Sequence, residues 1–137
     1  SLVHAESYFR NFCWDLLRQG HVSGGTEVDL QVEAGDLMLP GSLVLTMAQI
    51  LGELLTNSLK HAFRNRDSGR ISVSLRSSRE ELNLEVLDDG LGFAELTEGL
   101  GLCIARSLTG QLHGRLSLSS GTGTGTRATF VIPLCPE

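Results

Sequence analysis

From Pro40-Gly41-Ser42 to about Phe63 runs the longest helical segment of the chain, in which Met47, Leu51, Leu54, Ser58 and Ala62 recur at the 3.6-residue period. Such a stripe of apolar and small side chains has to be buried on a second layer. The residues that follow supply it. Ile71, Val73 and Leu75 alternate with polar neighbours, and so do Leu82, Leu84 and Val86. The linker between the two runs is short and polar, so they are expected to pair as an antiparallel hairpin. Ser42 is the expected N-cap of the helix, and the polar stretch from Arg64 to Gly69 is its expected end.

The other segments extend the same plan. About His4 to Arg18 reads as a helix with Tyr8, Phe9, Phe12, Leu16 and Leu17 near one stripe, ended by Gly20 and then Gly24-Gly25. Val28, Leu30 and Val32 mark a strand, and Leu37-Met38-Leu39 a short second one before Pro40. Asp88 to Gly92 is a turn-rich break. A helix is expected from Glu98 to Leu108, with Gly110 as its C-terminal stop. Leu116 and Leu118 mark a strand, Gly121 to Gly125 a turn, and Thr126 to Pro133 the last strand. This order predicts an α/β (α+β) two-layer sandwich, a mixed and mostly antiparallel sheet covered on one face by helices.

Composition narrows the function classes. The formal net charge of −5 argues against a nucleic-acid partner recruited by bulk charge. No apolar run approaches the roughly 20 residues that span a bilayer, and SLVHAESYFR has no basic segment followed by an apolar one, so no signal peptide is expected. Cys13, Cys103 and Cys135 are odd in number and far apart, which speaks against a disulfide framework or a zinc site and for a reducing compartment. Each is expected to be a small buried hydrophobe.

Four segments carry possible chemistry. On a helical wheel with Glu53 at zero, Asn57 falls near about 40° and Lys60 near about −20°, beside the apolar stripe, with His61 near about 80°. Taken by itself, this is an ordinary solvated face. Glu85 to Phe93, EVLDDGLGF, holds Asp-x-Gly-x-Gly directly after a strand, with Asp88, Gly90 and Gly92. A carboxylate at a strand end can accept a hydrogen bond from an exocyclic amine such as that of adenine, and glycines permit close approach of backbone to ligand. Gly99, Leu100, Gly101 and Leu102 lie at a helix start, where free N–H groups favour phosphate. Gly121 to Phe130, GTGTGTRATF, is on its own a hairpin turn. Neither the Rossmann nor the P-loop glycine pattern is present.

In this order the four segments resemble the N box, two glycine boxes and terminal Gly-Thr of the ATPase superfamily of gyrase, Hsp90, MutL and the histidine kinases, whose fold is the Bergerat fold. Asn-x-x-Lys-His within ELLTNSLKHAF is most similar to the sensor histidine kinase branch. The resemblance spans roughly Val28 to Leu134. It implies ATP and Mg²⁺ as cofactors and the transfer of the γ-phosphate to a histidine on a separate domain. It implies that Asp88 binds the adenine amino group, that Asn57 coordinates Mg²⁺, and that Lys60 contacts phosphate or ribose. Gly90, Gly92, Gly99, Leu100, Gly101 and Leu102 would line the nucleotide, and Thr126 would hold the adenine side. Glu53 matches the glutamate that activates water in the ATP-hydrolysing relatives, and His61 is placed to touch nucleotide or to pack.

The resemblance also divides the chain into a leading helix over residues 1–22, coming from a dimerisation region outside these residues, and an ATP-binding catalytic domain over 23–137. The implied partners are histidine-bearing dimerisation helices of the same parent protein and a response regulator, with a cytoplasmic location and no nucleic-acid or membrane contact by this domain. Two departures stand out. Only Phe93 to Glu98 separate the glycine boxes, a short lid, and His4, His21 and His113 lack the surroundings of a phospho-acceptor. A standalone serine/threonine kinase of the anti-sigma-factor type, or a non-catalytic docking module on the same fold, are the alternatives.

Overall fold

The computed structural model describes residues 1–19, 27–61, 63, 67–90, 100–121 and 125–134. The elements are β1 (Leu2–His4), α1 (Ala5–Arg18), β2 (Glu27–Glu33), β3 (Met38–Pro40), α2 (Gly41–His61), β4 (Ser68–Ser77), β5 (Glu81–Asp88), α3 (Leu100–Gln111), β6 (Arg115–Gly121) and β7 (Gly125–Pro133). Five strands form one sheet in the order β2-β4-β5-β7-β6, and β1 pairs with β3 in a separate two-stranded ribbon. Among the described residues only β2 and β4 run parallel, and every other pairing is antiparallel. The expected mixed, mostly antiparallel sheet with helices on one face is what forms.

Alternation decides which side of each strand meets the helices. In β4 the buried positions are Gly69, Ile71, Val73 and Leu75, and in β5 they are Leu82, Leu84, Val86 and Asp88. The pleat that buries three apolar residues of β5 thus carries a carboxylate to the same inner face at the strand's end. Helix α2 is the centre of the helix layer. Val44, Met47, Ala48, Ile50, Leu51, Leu54, Leu55 and Leu59 are all buried. Its apolar face is wider than one stripe because α1 and α3 pack on its two flanks while the sheet lies beneath.

Helix α1 belongs to the same core. Ala5, Phe9 and Cys13, one turn apart, are fully buried, and Tyr8, Phe12, Leu16 and Leu17 pack around them. Phe12 crosses α2 at Gly52, where a Cβ would lie 3.2 Å from the ring. The Glu6 carboxylate accepts from the backbone N–H groups of Ala34 and Gly35 at 3.0 and 3.1 Å, and these bonds hold its pKa below the ordinary carboxylate range. Both sheet edges receive an arginine from the helix layer. Arg10 donates to the Val32 carbonyl on β2 and Arg106 to the Leu116 carbonyl on β6, each at 3.0 Å. Guanidinium groups on edge carbonyls block pairing with another chain.

Several boundaries differ from expectation. Strand β1, three residues long, is too short to show a periodicity in the sequence. Helix α2 starts at Gly41, whose N–H donates to the Ser1 carbonyl, so Ser42 sits in the first turn instead of capping it. Helix α3 passes through Gly110 and ends at Gln111. Its stop is a Schellman motif, in which Gly114 N–H donates to the Thr109 carbonyl and His113 N–H to the Gly110 carbonyl. His113 takes the left-handed conformation, φ 59°, because the glycine is needed one residue later: a Cβ on Gly114 would sit 2.6 Å from the Val131 carbonyl. A non-glycine residue in this conformation costs about 1 kcal/mol. His113→Gly should therefore raise the thermal midpoint by a few degrees, measurable by calorimetry. Among the cysteines, Cys13 is buried and its thiol is pushed up to about 12, whereas Cys103 is exposed on α3, contrary to the buried role expected of it. Cys135 lies outside the described residues.

Candidate functional site

Asp88 ends β5 on the inner face and is 7% exposed. Three donors hold its carboxylate. Oδ2 accepts from the Ser58 hydroxyl at 2.9 Å, and Oδ1 accepts from the backbone N–H groups of Gly90 at 3.0 Å and Thr126 at 3.2 Å. Desolvation raises the pKa of Asp88, against the lowering effect of these hydrogen bonds. A carboxylate carried into the interior, with no cation hydrogen-bonded to it among the described residues, is expensive to maintain and is found where it recognises something.

Each partner comes from a different element. Ser58 projects from α2, Gly90 from the turn after β5, and Thr126 from β7, where it is the register partner of Asp88. One strand further, Ser120 of β6 is the register partner of Thr126. The Ser120 hydroxyl lies 3.2 Å from both Thr126 Oγ1 and the Gly125 carbonyl. Asp88, Thr126 and Ser120 thus form a polar row across three strands, one step beyond the apolar row of Val86, Ala128 and Leu118. A cavity of about 410 Å³ borders these residues, lined by Asp88, Ser120, Gly125 and Thr126 together with Leu87, Ser119 and Arg127 of the opposite pleat. Gly125 has φ 83°, and a Cβ on it would run into the Asp88 carbonyl oxygen, so only glycine lets β7 approach β5 this closely.

On α2, Asn57 is half-buried and Lys60 exposed. Glu53 faces a different space, a groove of about 420 Å³ between α1, α2 and α3 that also includes Phe12, Gly52, Thr56 and Ile104. The structure thus joins Asp88, Gly90 and Thr126 by direct hydrogen bonds and leaves Glu53, Asn57 and Lys60 as a neighbouring stripe on the same helix. Leu102 is buried in the core at 4% exposure. Gly101 lies in the first turn of α3. Gly92 and Gly99 and the side chains of His61 and Leu100 lie outside the described residues. Among the described residues no group of three or more His, Cys, Asp or Glu side chains could hold a metal ion. Asn57 supplies one neutral oxygen, which fits a hard cation that takes its other ligands from phosphates and water.

Sequence reasoning missed Ser58 and Ser120. In the sequence Ser58 is one small member of an apolar stripe. A hydroxyl in such a stripe needs a partner, and that was the available signal. Ser120 gave none, since its role depends on the β6–β7 register.

A family profile described as histidine kinase-, DNA gyrase B-, and HSP90-like ATPase matches residues 43–136. A curated relative, blue-light-activated histidine kinase 2 of Erythrobacter litoralis, is 38% identical over 125 residues, covering 85% of this chain and 35% of the relative. The sensor histidine kinase AruS of Pseudomonas aeruginosa is 30% identical over 112 residues, covering 63% of this chain and 11% of its own length. The chain therefore spans about a third or less of these curated relatives. Among solved structures, the histidine kinase domain of an Erythrobacter litoralis blue-light-activated histidine kinase superposes with a TM-score of 0.83 at 29% identity, covering 96% of this chain and 62% of that one. A mycobacterial sensor histidine kinase, MprB, shares the fold at a TM-score of 0.72 and 17% identity, with both chains covered in full.

Proposed function

Because this chain belongs to the family of histidine kinase-, DNA gyrase B- and HSP90-like ATPases, we propose that it is the ATP-binding catalytic domain of a sensor histidine kinase. It delivers the γ-phosphate of ATP to a histidine on a separate helical domain of its parent protein. The observation that carries the reading is Asp88, a buried acceptor-only group fixed by three donors at the mouth of a cavity. Such a group matches the exocyclic amine of adenine. Asn57 would hold Mg²⁺, which neutralises phosphate charge when bound. Lys60, exposed two residues beyond Ser58, reaches phosphate or ribose. The N-terminal turn of α3, with Gly101, would offer N–H groups to phosphate oxygens, and Gly90, Gly92 and Gly99 would line the nucleotide as the resemblance implies. Glu53 would activate water, the role its match in the ATP-hydrolysing relatives implies, and His61 would touch the nucleotide or pack.

In this reading the domain contributes position and electrostatics, and the nucleophile comes from elsewhere. Helix α1 is the lead-in from histidine-bearing dimerisation helices, and the response regulator is reached through the full kinase in the cytoplasm. No helix among the described residues is long and apolar enough to cross a membrane. The test is incubation with γ-labelled ATP. The chain alone should bind nucleotide and incorporate no label, while adding the parent's helical domain should give acid-labile label on that domain. Acid-stable label on serine in a partner, or stoichiometric label on His4, His21, His61 or His113, would overturn the reading.

A further inference from the structure

We infer, on the reading that Glu53 activates water, that Phe12 of α1 is a positioning residue for it. The Phe12 ring bears on α2 at Gly52 and so fixes the stance of the carboxylate one residue on. Gly52 lies in the middle of α2, Gly41–His61, where glycine loosens a helix relative to alanine. The space it leaves open is taken by another element. A Cβ at 52 would lie 3.2 Å from Phe12 Cζ and 3.5 Å from Cε2, the first closer than ordinary van der Waals contact. Bare backbone at this position is what lets the ring come in.

Glu53 opens into the same place. On α2, Ala48, Gly52 and Thr56 succeed one another turn by turn along the groove, with Glu53 beside them. Tyr8, Phe12 and Leu16 of α1 form the facing wall at the same one-turn spacing. Helix α1 is anchored independently of α2, through the Glu6 carboxylate on the Ala34 and Gly35 N–H groups and through Arg10 on the Val32 carbonyl. The ring therefore comes from a helix fixed to the edge of the sheet and meets α2 immediately before Glu53. Among the described residues Glu53 is the one charged side chain lining this groove. Packing against Phe12 and its neighbours, not an ion pair within the groove, then sets its stance. In hydrolysis the water oxygen bonds to the γ-phosphorus, its proton passes to the Glu53 carboxylate, and the bond from that phosphorus to the ADP oxygen breaks. That step depends on where the carboxylate stands. Asp88, which holds ADP, lies outside the groove.

The experiment measures hydrolysis of Mg·ATP and calorimetric ADP affinity with the whole chain, and thermal midpoints of the nucleotide-free chain. Phe12→Ala should slow turnover at saturating ATP by about tenfold, since a misplacement of about 1 Å can cost on the order of a hundredfold. Its ADP affinity should stay near the native value. Gly52→Ala, which by itself favours the helix, sets a methyl against the ring and should slow turnover as well. In Gly52→Ala/Phe12→Leu the shorter side chain makes room and should recover most of that loss. The midpoints of Phe12→Leu, Gly52→Ala and the double variant should be non-additive, as for residues in contact. A merely structural role for Phe12 would lower the midpoint and leave the turnover of the folded chain unchanged. Native turnover in Phe12→Ala or Gly52→Ala, a loss that persists in the double variant, additive midpoints, or an ADP affinity that falls in step with turnover overturns the inference. A native chain that hydrolyses no ATP, or a Glu53→Gln chain that hydrolyses it as fast as the native one, removes the reading of Glu53 itself, and this inference with it.

Discussion

The Asp88→Asn chain is expected to bind ADP at least tenfold more weakly than the native chain while being as stable or more stable at neutral pH. The two halves of this expectation have one cause. Asparagine keeps an oxygen for the Gly90 and Thr126 N–H groups, and the Ser58 hydroxyl can turn to accept from the amide nitrogen, so the native bonds survive. What changes is the group offered to the ligand, a donor in place of an acceptor. A mismatched buried pair costs about 1–3 kcal/mol, on the order of tenfold or more in affinity. Stability moves the other way because burial raises the pKa of Asp88. The folded chain then holds the proton more tightly than the unfolded one. The associated stability is fully present below about pH 4, the ordinary aspartate value, and is lost as pH rises through the elevated folded value. Thermal unfolding of both forms between pH 4 and 7 reads this directly. The native chain should lose ground to the variant as pH rises across that window. Equal ADP affinity in calorimetry, or a stability difference that grows toward acid, would contradict the account.

Gly125→Ala should damage fold and binding together, which distinguishes it from the aspartate variant. The backbone at 125 has φ 83°, and the new methyl would lie against the Asp88 carbonyl oxygen and 3.2 Å from the Cα of Asp89. These are backbone atoms and cannot rotate aside. A side chain forced into this conformation costs about 1–3 kcal/mol, and the clash adds to it. A total of about 3 kcal/mol would lower the thermal midpoint by roughly 10 °C. Relief requires β7 to move off β5 at the Asp88–Thr126 pair, which breaks the bond from Thr126 N–H to Asp88. ADP affinity should fall with it. A variant that melts like the native chain and binds ADP normally would mean that the β5–β7 contact is looser than described here.

Most of the fold was legible because the signals were long and regular. Leu82, Leu84 and Val86 announce a half-buried strand, and the period of α2 continues over twenty-one residues. What the sequence could not carry depends on neighbours distant along the chain. The β5–β7 pairing unites Leu84 with Phe130 and Asp88 with Thr126, and nothing local in either strand names its partner. Gly110 was expected to end α3 because glycine often does. The competing demand for a side-chain-free residue at Gly114 moved the stop and put His113 in the left-handed position. At the site, Asp88 and Gly90 stand out by their place after a strand, whereas Thr126 is singled out only by the resemblance to the ATPase superfamily. Ser58 and Ser120 do not stand out, since the first matters only when α2 is brought to the Asp88 carboxylate and the second only when β6 is brought beside Thr126.

The parallel pairing of β2 with β4 has a consequence for how the chain reaches this state. Strand β2 lies at the sheet's edge and pairs with β4 alone, with Leu30 opposite Ile71 and all of α2 between them in sequence. The hairpins β4–β5 and β6–β7 close over short connections and need no other element, so they suit early formation. Strand β2 has no such local route, because the loop through β3 and α2 must be closed before any of its bonds forms. During synthesis it emerges long before β4 exists. It must therefore wait unpaired, and its run of Glu27, Asp29 and Glu33 keeps the waiting strand charged and solvated until its docking site arrives.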